Sequence, residues 1–228
     1  MRGVSSLWII AFLSIALQGC VGATGGILGG GDEIEVPEWE TGDWWLFTFS
    51  TPDFFDDSAK LVVATVDQEE GGTAYMLGIS SEEEARRHAV LNHNPFLGRI
   101  SHSNLGVFEN GVEQAVLSFP LSEKTWSFTL FEKDWTASAN IEGKKAYVKA
   151  TSADGGSLTF AYDDDIKFIT SFVRVDSDGA ELLRISLAQS GSDHQGEVHF
   201  IRGRDLLDRE YENNGPSGDV EDLSLIHI

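Results

Sequence analysis

The sequence predicts an all-β protein built as an antiparallel meander. Apolar and polar residues alternate along most of the chain from residue 32 to residue 212, which is the pattern of half-buried strands. Short segments rich in Gly, Asn and Asp separate the alternating stretches, and links this short join antiparallel neighbours. A single segment has the pattern of a helix. These observations leave three architectures open: a curved half-barrel, a closed barrel and a sandwich.

The strands follow one another between turn-forming residues. Asn110-Gly111 predicts a two-residue type I′ hairpin, because both central residues of that turn need positive φ. Trp126, Phe128 and Leu130 share one face of their segment, as alternate residues of a strand do. Strands are predicted at 44–49, 61–66, 74–79, 105–108, 115–119, 126–130, 135–141, 145–150, 158–162, 166–175, 182–187 and 198–201.

One short helix is predicted near residues 81–91. Ser81 stands three residues before Glu84, which is the capping-box pattern. Acidic residues fill the first turn and Arg86 and Arg87 follow, the order that the helix dipole favours. We expect this helix to act as a lid or plug on the sheet.

Residues 32–212 are expected to form a single β domain, because a chain of about 180 residues can bury one sizeable core. Residues 213–222 combine Asn, Gly, Pro and acidic side chains and predict a linker. The last residues, 223–228, read Leu-Ser-Leu-Ile-His-Ile. They resemble a translated end sequence of transposase-based sequencing adapters, which implies an artefact and a truncated fragment of a longer protein.

The N-terminal segment 1–19 predicts a signal peptide. Its apolar run from Leu7 to Leu17 is eleven residues long, too short to cross a bilayer at about 1.5 Å per residue. Leu17, Gly19 and Cys20 resemble the lipobox of prokaryotic lipoproteins. The resemblance implies cleavage before Cys20 and attachment of lipid to its sulfur. It places the protein outside the cell, anchored to the outer face of the membrane or envelope, with the membrane as a partner.

Residues 20–31 follow as a lipidated cysteine and a glycine-rich tether. The segment 21–31 holds six glycines, and such a density favours a flexible spacer.

The charge balance narrows the range of partners. The chain has 16 Lys and Arg against 37 Asp and Glu, a net charge of −21, so a phosphate backbone would be repelled and nucleic acid is excluded as a partner. This acid excess resembles that of proteins from saline surroundings. Cys20 is the single cysteine, which rules out disulfide scaffolds and multi-thiolate metal sites.

Two sets of residues are candidate binding sites. Trp44 and Trp45 lie in an aromatic-rich stretch that could line an apolar pocket or stack on a sugar, although adjacent strand residues point to opposite faces. His88, His93 and His102 are spaced so that they could meet around a metal ion, yet there is no HExxH motif and no cysteine to complete the ligand set. The simpler interpretations are core packing for the tryptophans and polar helix-end and loop positions for the histidines.

No motif predicts catalysis or a cofactor. Our leading hypothesis is therefore a non-enzymatic, exported and lipid-anchored β domain that binds a surface ligand or a protein partner. The alternative is a structural N-terminal module of a longer envelope protein. A third hypothesis is a secreted hydrolase that uses a metal or carboxylates.

Overall fold

Twelve strands hydrogen-bond side by side in one antiparallel sheet that nearly closes into a barrel. The computed structural model describes residues 33–52, 57–69, 72–91, 94–109, 111–201 and 223–227. Its elements are β1 (Trp44–Ser50), β2 (Asp57–Glu69), β3 (Gly72–Ile79), α1 (Glu82–Leu91), β4 (Gly98–Ser101), β5 (Val107–Glu109), β6 (Val112–Gln114), β7 (Thr125–Leu130), β8 (Lys133–Glu142), β9 (Lys145–Ser152), β10 (Ser157–Asp163), β11 (Phe168–Val175), β12 (Glu181–Gly191), β13 (Glu197–Ile201) and β14 (Leu223–His227).

The sheet order is β6-β5-β4-β3-β2-β1-β12-β11-β10-β9-β8-β7. Within this order the strands pair with their chain neighbours, except that β1 pairs with β12 and that β6 and β7 form the two edges. The two edges, β6 and β7, are joined by side chains rather than by a strand ladder. The Trp126 indole N–H donates to the Ala115 carbonyl oxygen at 3.0 Å, and the Thr129 amide donates to Gln114 Oε1 at 2.7 Å. The all-β meander is thus confirmed, in an almost closed barrel.

Four of the predicted turn glycines, Gly111, Gly143, Gly155 and Gly179, have positive φ in the structure. Glu109 pairs with Val112, which leaves the predicted two-residue link between β5 and β6, and Gly111 has a φ of 75°. Residue 110 lies outside the described residues. The β7–β8 turn uses Phe131 and Glu132, with φ of 54° and 59°. Neither residue type is typical of turns, so the sequence does not predict this one.

The interior of the barrel is packed with aromatic side chains. The N-terminal strap, residues 33–43, crosses the end of the barrel where β1 begins and β12 ends, which we call the strap end. It is held by a bridge in which Ile34 and Leu121 exchange backbone hydrogen bonds at 2.9 and 2.8 Å. Trp39 of the strap is only 3% exposed. The strap therefore closes this end with its own side chains.

Helix α1 agrees with its prediction. The Glu84 amide donates to Ser81 Oγ at 3.4 Å and Arg86 pairs with Glu82 at 2.6 Å. Ala85 is fully buried in the barrel core, which fixes the helix beside the end of β1 and the start of β2. Within the described residues, no helix is both long and apolar enough to cross a membrane.

A second, smaller core lies on the outside of the barrel. Strand β13 packs on the outer face of β2 and β3, and β14 pairs with β13. The side chains that meet there are Val62, Ala64, Met76, Val198 and Phe200, with Trp44 packed against them. Leu223–His227, the segment that the sequence assigns to an adapter remnant, forms β14. An alternating apolar segment can extend a sheet edge whatever its origin.

Two predicted strands need correction. Residues 115–119 are not a strand, because the chain leaves the sheet after β6 and turns inward, so that Val116 and Leu117 are fully buried. Residues 166–167 belong to a turn before β11, where Lys167 has a φ of 62°. At 115–119 apolar residues are buried without strand pairing, and in the turn before β11 Ile166 is half-buried while Lys167 is exposed. A pattern of hydrophobicity does not distinguish such residues from those of a strand.

Candidate functional site

The predicted tryptophan pair divides between the two faces of β1. Trp45 points into the barrel and is 3% exposed. Trp44 lies on the outer face, where the Lys60 ammonium sits 4.4 Å from its ring centroid and its indole N–H donates to the Ser192 carbonyl oxygen at 3.2 Å. Gly191 allows this arrangement, since a Cβ there would come within 2.7 Å of the Trp44 ring. The contacts of the Trp44 ring are therefore made with Lys60, Gly191 and Ser192 of the protein itself.

Trp45 contributes to a cleft at the strap end. The cleft has a volume of about 190 Å³, below the roughly 300–1,000 Å³ of pockets that hold drug-sized ligands. The Trp45 indole N–H donates to the Ile166 carbonyl oxygen at 3.1 Å, so the β10–β11 turn and β1 are tied together along its floor. The lining residues are Asp43, Trp45, Asp165, Ile166, Lys167, Ser190, Gly191 and Ser192.

The charged groups of the cleft are partly committed to the protein. Asp43 Oδ2 accepts a hydrogen bond from the Glu40 amide at 2.9 Å. The Lys167 ammonium donates to the Glu38 carbonyl oxygen at 3.1 Å, and Asp165 pairs with Lys144. Each carboxylate has lone pairs beyond these contacts. Together with the Ser190 and Ser192 hydroxyls, the cleft presents acceptors and donors of the kind that a hydroxyl-bearing ligand needs.

Beneath the cleft, the strap fills the barrel with an aromatic cluster. The Trp39 ring lies 4.9 Å from the rings of Trp45, Tyr75 and Phe168, measured between centroids. Its indole N–H donates to the Lys167 carbonyl oxygen at 2.8 Å, and its amide donates to the Tyr75 hydroxyl at 3.0 Å. Burial raises the pKa of Tyr75. An apolar ligand would have to displace Trp39 to enter here.

His194 lies near the rim of the cleft, on the segment that follows β12. Its amide donates to the Gly42 carbonyl oxygen at 3.0 Å, which fixes the strap against this segment. Burial, together with the positive charge of Lys60, lowers the pKa of His194. The strap is thus held at both sides of the cleft.

The histidines of the predicted metal site lie in different surroundings. His88 is buried in the last turn of α1. The centroid of its ring lies 4.6 Å from that of Phe49, and its Nε2 lies 3.8 Å from Asp57 Oδ2. His102 stacks on Tyr75 at 4.8 Å, and His93 lies outside the described residues. No group of three or more His, Cys, Asp or Glu suited to a metal ion occurs in the described part of the chain.

Asp57 links α1 to the start of β2. Burial alone would raise the pKa of Asp57, but hydrogen bonds from Arg87 and from the Ser58 amide, with the charges of His88 and Arg87, hold it below its usual value. The closest Arg87 contact is 2.8 Å, from Nη2 to Asp57 Oδ1. This carboxylate anchors the helix rather than facing solvent.

Comparison with known proteins gives no match. No family model, no curated protein and no solved structure is similar to this chain.

Sequence reasoning found one wall of the cleft and missed the others. Trp45 was a candidate, but Asp43, Lys167 and Ser190 come from three separate segments that β1–β12 pairing and the strap bring together. The sole local signal was the acidic turn at 163–165, which is ordinary turn composition. Cys20, the predicted lipid attachment site, lies outside the described residues.

Proposed function

We propose that this chain is an exported, lipid-anchored cell-surface protein whose β-barrel domain binds a ligand through the strap-end cleft. Support for the anchor is the lipobox-like sequence Leu17-Gln18-Gly19-Cys20. Two or more acyl chains on Cys20 would hold the protein at the membrane, because each buried methylene adds about 0.8 kcal/mol. On this proposal the protein binds rather than catalyses.

The observation that carries the binding role is the contrast between a filled interior and an open cleft beside Trp45. Trp39, Trp45 and Phe168 occupy the barrel at this end, so a ligand reaches the domain from outside. At about 190 Å³, the cleft suits a small group, and its carboxylates and hydroxyls favour a polyhydroxylated one. We propose a single sugar unit as the ligand.

The anchor is tested by Cys20→Ser in the full chain. We expect the wild-type protein in the membrane fraction, from which detergent extracts it, and the Cys20→Ser variant in the soluble fraction. Mass spectrometry of the mature protein should show a lipidated N-terminal cysteine. Membrane association that is unchanged in the variant would contradict the lipobox interpretation.

The cleft is tested by Ser190→Trp, which fills it from β12. The matched control is Gln189→Trp, because Gln189 is exposed and pairs with Leu46 while Ser190 pairs with the interior residue Trp45. Glucose, galactose, mannose and N-acetylglucosamine are the probes, followed by tryptophan fluorescence and melting temperature. We expect at least one sugar to shift both signals in the wild type and the control, and not in Ser190→Trp. A response that persists in Ser190→Trp, or no response to any probe, would exclude the cleft as a sugar site.

The structural alternative is favoured by the packed interior. A barrel whose core is filled by its own rings can serve as a rigid spacer for other domains of an envelope protein. In that case the tryptophan fluorescence of the protein stays constant with every sugar, while the protein remains folded and anchored.

A further inference from the structure

The outer faces of β7, β8, β9 and β10 form a surface with no acidic residue at its centre. Three rows of cross-strand neighbours make up this surface, which we call the open wall. Its eleven positions carry hydroxyl, amide, one aromatic, one aliphatic and one cationic side chain. They are Ser127, Thr136, Thr151 and Ser157; Thr125, Ser138, Lys149 and Thr159; and Asn140, Tyr147 and Ala161.

Lys149 at the centre of the open wall differs from the other lysines. All seven lysines of the chain are described, and six of them have a partner. Lys60 lies over the Trp44 ring, Lys124 and Lys167 donate to carbonyl oxygens, and Lys133, Lys144 and Lys145 pair with Asp154, Asp165 and Asp163. Within the described residues Lys149 has no such partner, and its cross-strand neighbours are Ser138 and Thr159.

Tyr147 stands two residues from Lys149 on the same face. It is 45% exposed, one of two large hydrophobic side chains with that degree of exposure among the described residues. Alternate residues of a strand are about 7 Å apart, and four strands span about 14 Å. The exposed ring, the ammonium and the surrounding hydroxyls therefore lie within one flat area.

From this arrangement we infer that the open wall binds an acidic polysaccharide, that is, sugar rings carrying carboxylate or sulfate groups. The Lys149 ammonium pairs with the anionic group, because within the described residues it is the lysine with no partner among those contacts. Tyr147 stacks on a sugar ring, and Ser138 and Thr159 exchange hydrogen bonds with sugar hydroxyls. The Asn140 amide donates to Glu142 Oε1 at 3.0 Å, so the border of the open wall lies at Asn140. This site lies on other strands than the cleft and does not depend on it.

Charge complementarity decides between this ligand and other flat partners. The net charge of −21 repels any polyanion from most directions, so an acidic polymer can approach only where carboxylates are lacking. A nucleic acid carries a charge on every nucleotide and needs many cations along its backbone. One cation beside an exposed ring and several hydroxyls instead suits a sugar chain that places a single charged ring at Lys149. A membrane surface would need apolar side chains to insert, and the wall presents hydroxyls.

The charge distribution predicts an unusual salt dependence. At about 0.01 M salt the screening length is about 30 Å, so the acidic remainder of the protein repels the polymer. At about 0.15 M it falls to about 8 Å, and Lys149 acts on the polymer with little opposition. At about 1 M it is about 3 Å, and the ion pair is screened too. Retention is expected to pass through a maximum at intermediate salt.

The experiment measures retention of the full chain, in detergent, on immobilised polygalacturonate, dextran sulfate and neutral dextran. We expect retention on an acidic polymer and less on neutral dextran. The two acidic arms distinguish a carboxylate ligand from a sulfate ligand. Equal retention on neutral dextran would overturn the role of Lys149, and no retention on any polymer would overturn the proposal.

Variants assign the binding to the open wall. Lys149→Glu is expected to abolish retention, and Lys149→Ala to weaken it about fivefold. Tyr147→Ala should weaken it by a similar factor. Lys149→Arg keeps the positive charge and should keep the retention of the wild type. The control is Lys145→Ala, on the same strand and face, whose ammonium is 3.2 Å from Asp163; it should change little. Ser190→Trp should also bind normally, which separates this site from the cleft. Retention unchanged in Lys149→Glu at an unchanged melting temperature would refute the proposal.

Discussion

The outer surface of the barrel differs sharply between its two sides, although both are made of the same kind of strand. On β2 and β3 the outward side chains Val62, Ala64 and Met76 are apolar and lie under β13. On the open wall the outward side chains are polar apart from Ala161, and all but the half-buried Ser157 and Ala161 are exposed to solvent. The difference is already present in the sequences of the strands. LVVA in β2 is apolar on both faces, while KAYVKA in β9 alternates.

This difference shows that the order of apolar and polar residues along a strand predicts the surroundings of both its inner and its outer face. Continuous apolar character predicts that something covers the outer face, and strict alternation predicts that nothing does. On this reasoning the covered wall, defined by Val62, Ala64 and Met76, contributes to stability. The open wall is free to carry recognition, since its side chains support no packing.

The largest difference in stability is expected when an aspartate is introduced on each of the two walls. Val62→Asp places a carboxylate among fully buried apolar groups, and we expect a loss of at least about 4 kcal/mol in the free energy of unfolding, or failure to fold. Thr159→Asp on the open wall should change it by less than about 1 kcal/mol. Denaturant midpoints measure both.

A milder variant keeps this comparison interpretable if Val62→Asp does not fold. Val62→Ala is expected to cost about 2 kcal/mol through lost burial. A cost near that of Thr159→Asp would show that β13 does not cover Val62 in solution.

The local part of the fold was predictable from sequence, and the distant part was not. Hairpins such as β5–β6 and the helix capped by Ser81 depend on contacts between near neighbours, whose signals are turn and capping residues. The closure of β1 on β12 pairs Trp45 with Ser190, and no local pattern encodes such a pairing. The cleft depends on that closure, so only Trp45 could be named in advance. The open wall was visible as alternation, but the isolation of Lys149 needed the cross-strand register.

The next contrast concerns two glycines. A Cβ at Gly78 would lie 2.5 Å from Val198 Cγ1 and 2.8 Å from the His199 carbonyl oxygen, whereas at Gly143 it would meet nothing within 4 Å. We expect Gly78→Ala to cost about 2 kcal/mol by pushing β13 away. Gly143→Ala should cost about 1 kcal/mol because of its φ of 61°, through backbone strain alone.

A double-mutant cycle separates these two causes. Val198→Ala removes the nearest obstructing atom, so it should recover part of the loss in Gly78→Ala and none in Gly143→Ala. Additive losses for the pair Gly78 and Val198 would mean that close packing of β13 on β3 is not the cause.

The smallest effect is a pH dependence at the helix that borders the covered wall. The folded-state pKa of Asp57 is lowered, so its contribution to stability is fully present above the unfolded value, about 3.9. The contribution is lost as pH falls through the folded value. Asp57→Asn should therefore destabilise the protein by about 1 kcal/mol or less at pH 7, and by less still near pH 3. Glu83→Gln is the matched control, because Glu83 also contacts Arg87, at 3.1 Å, but is 87% exposed. Its denaturant midpoint should follow the wild type at both pH values. If Asp57→Asn and the wild type differed equally at pH 7 and at pH 2, the carboxylate charge would not be what holds α1 against β2.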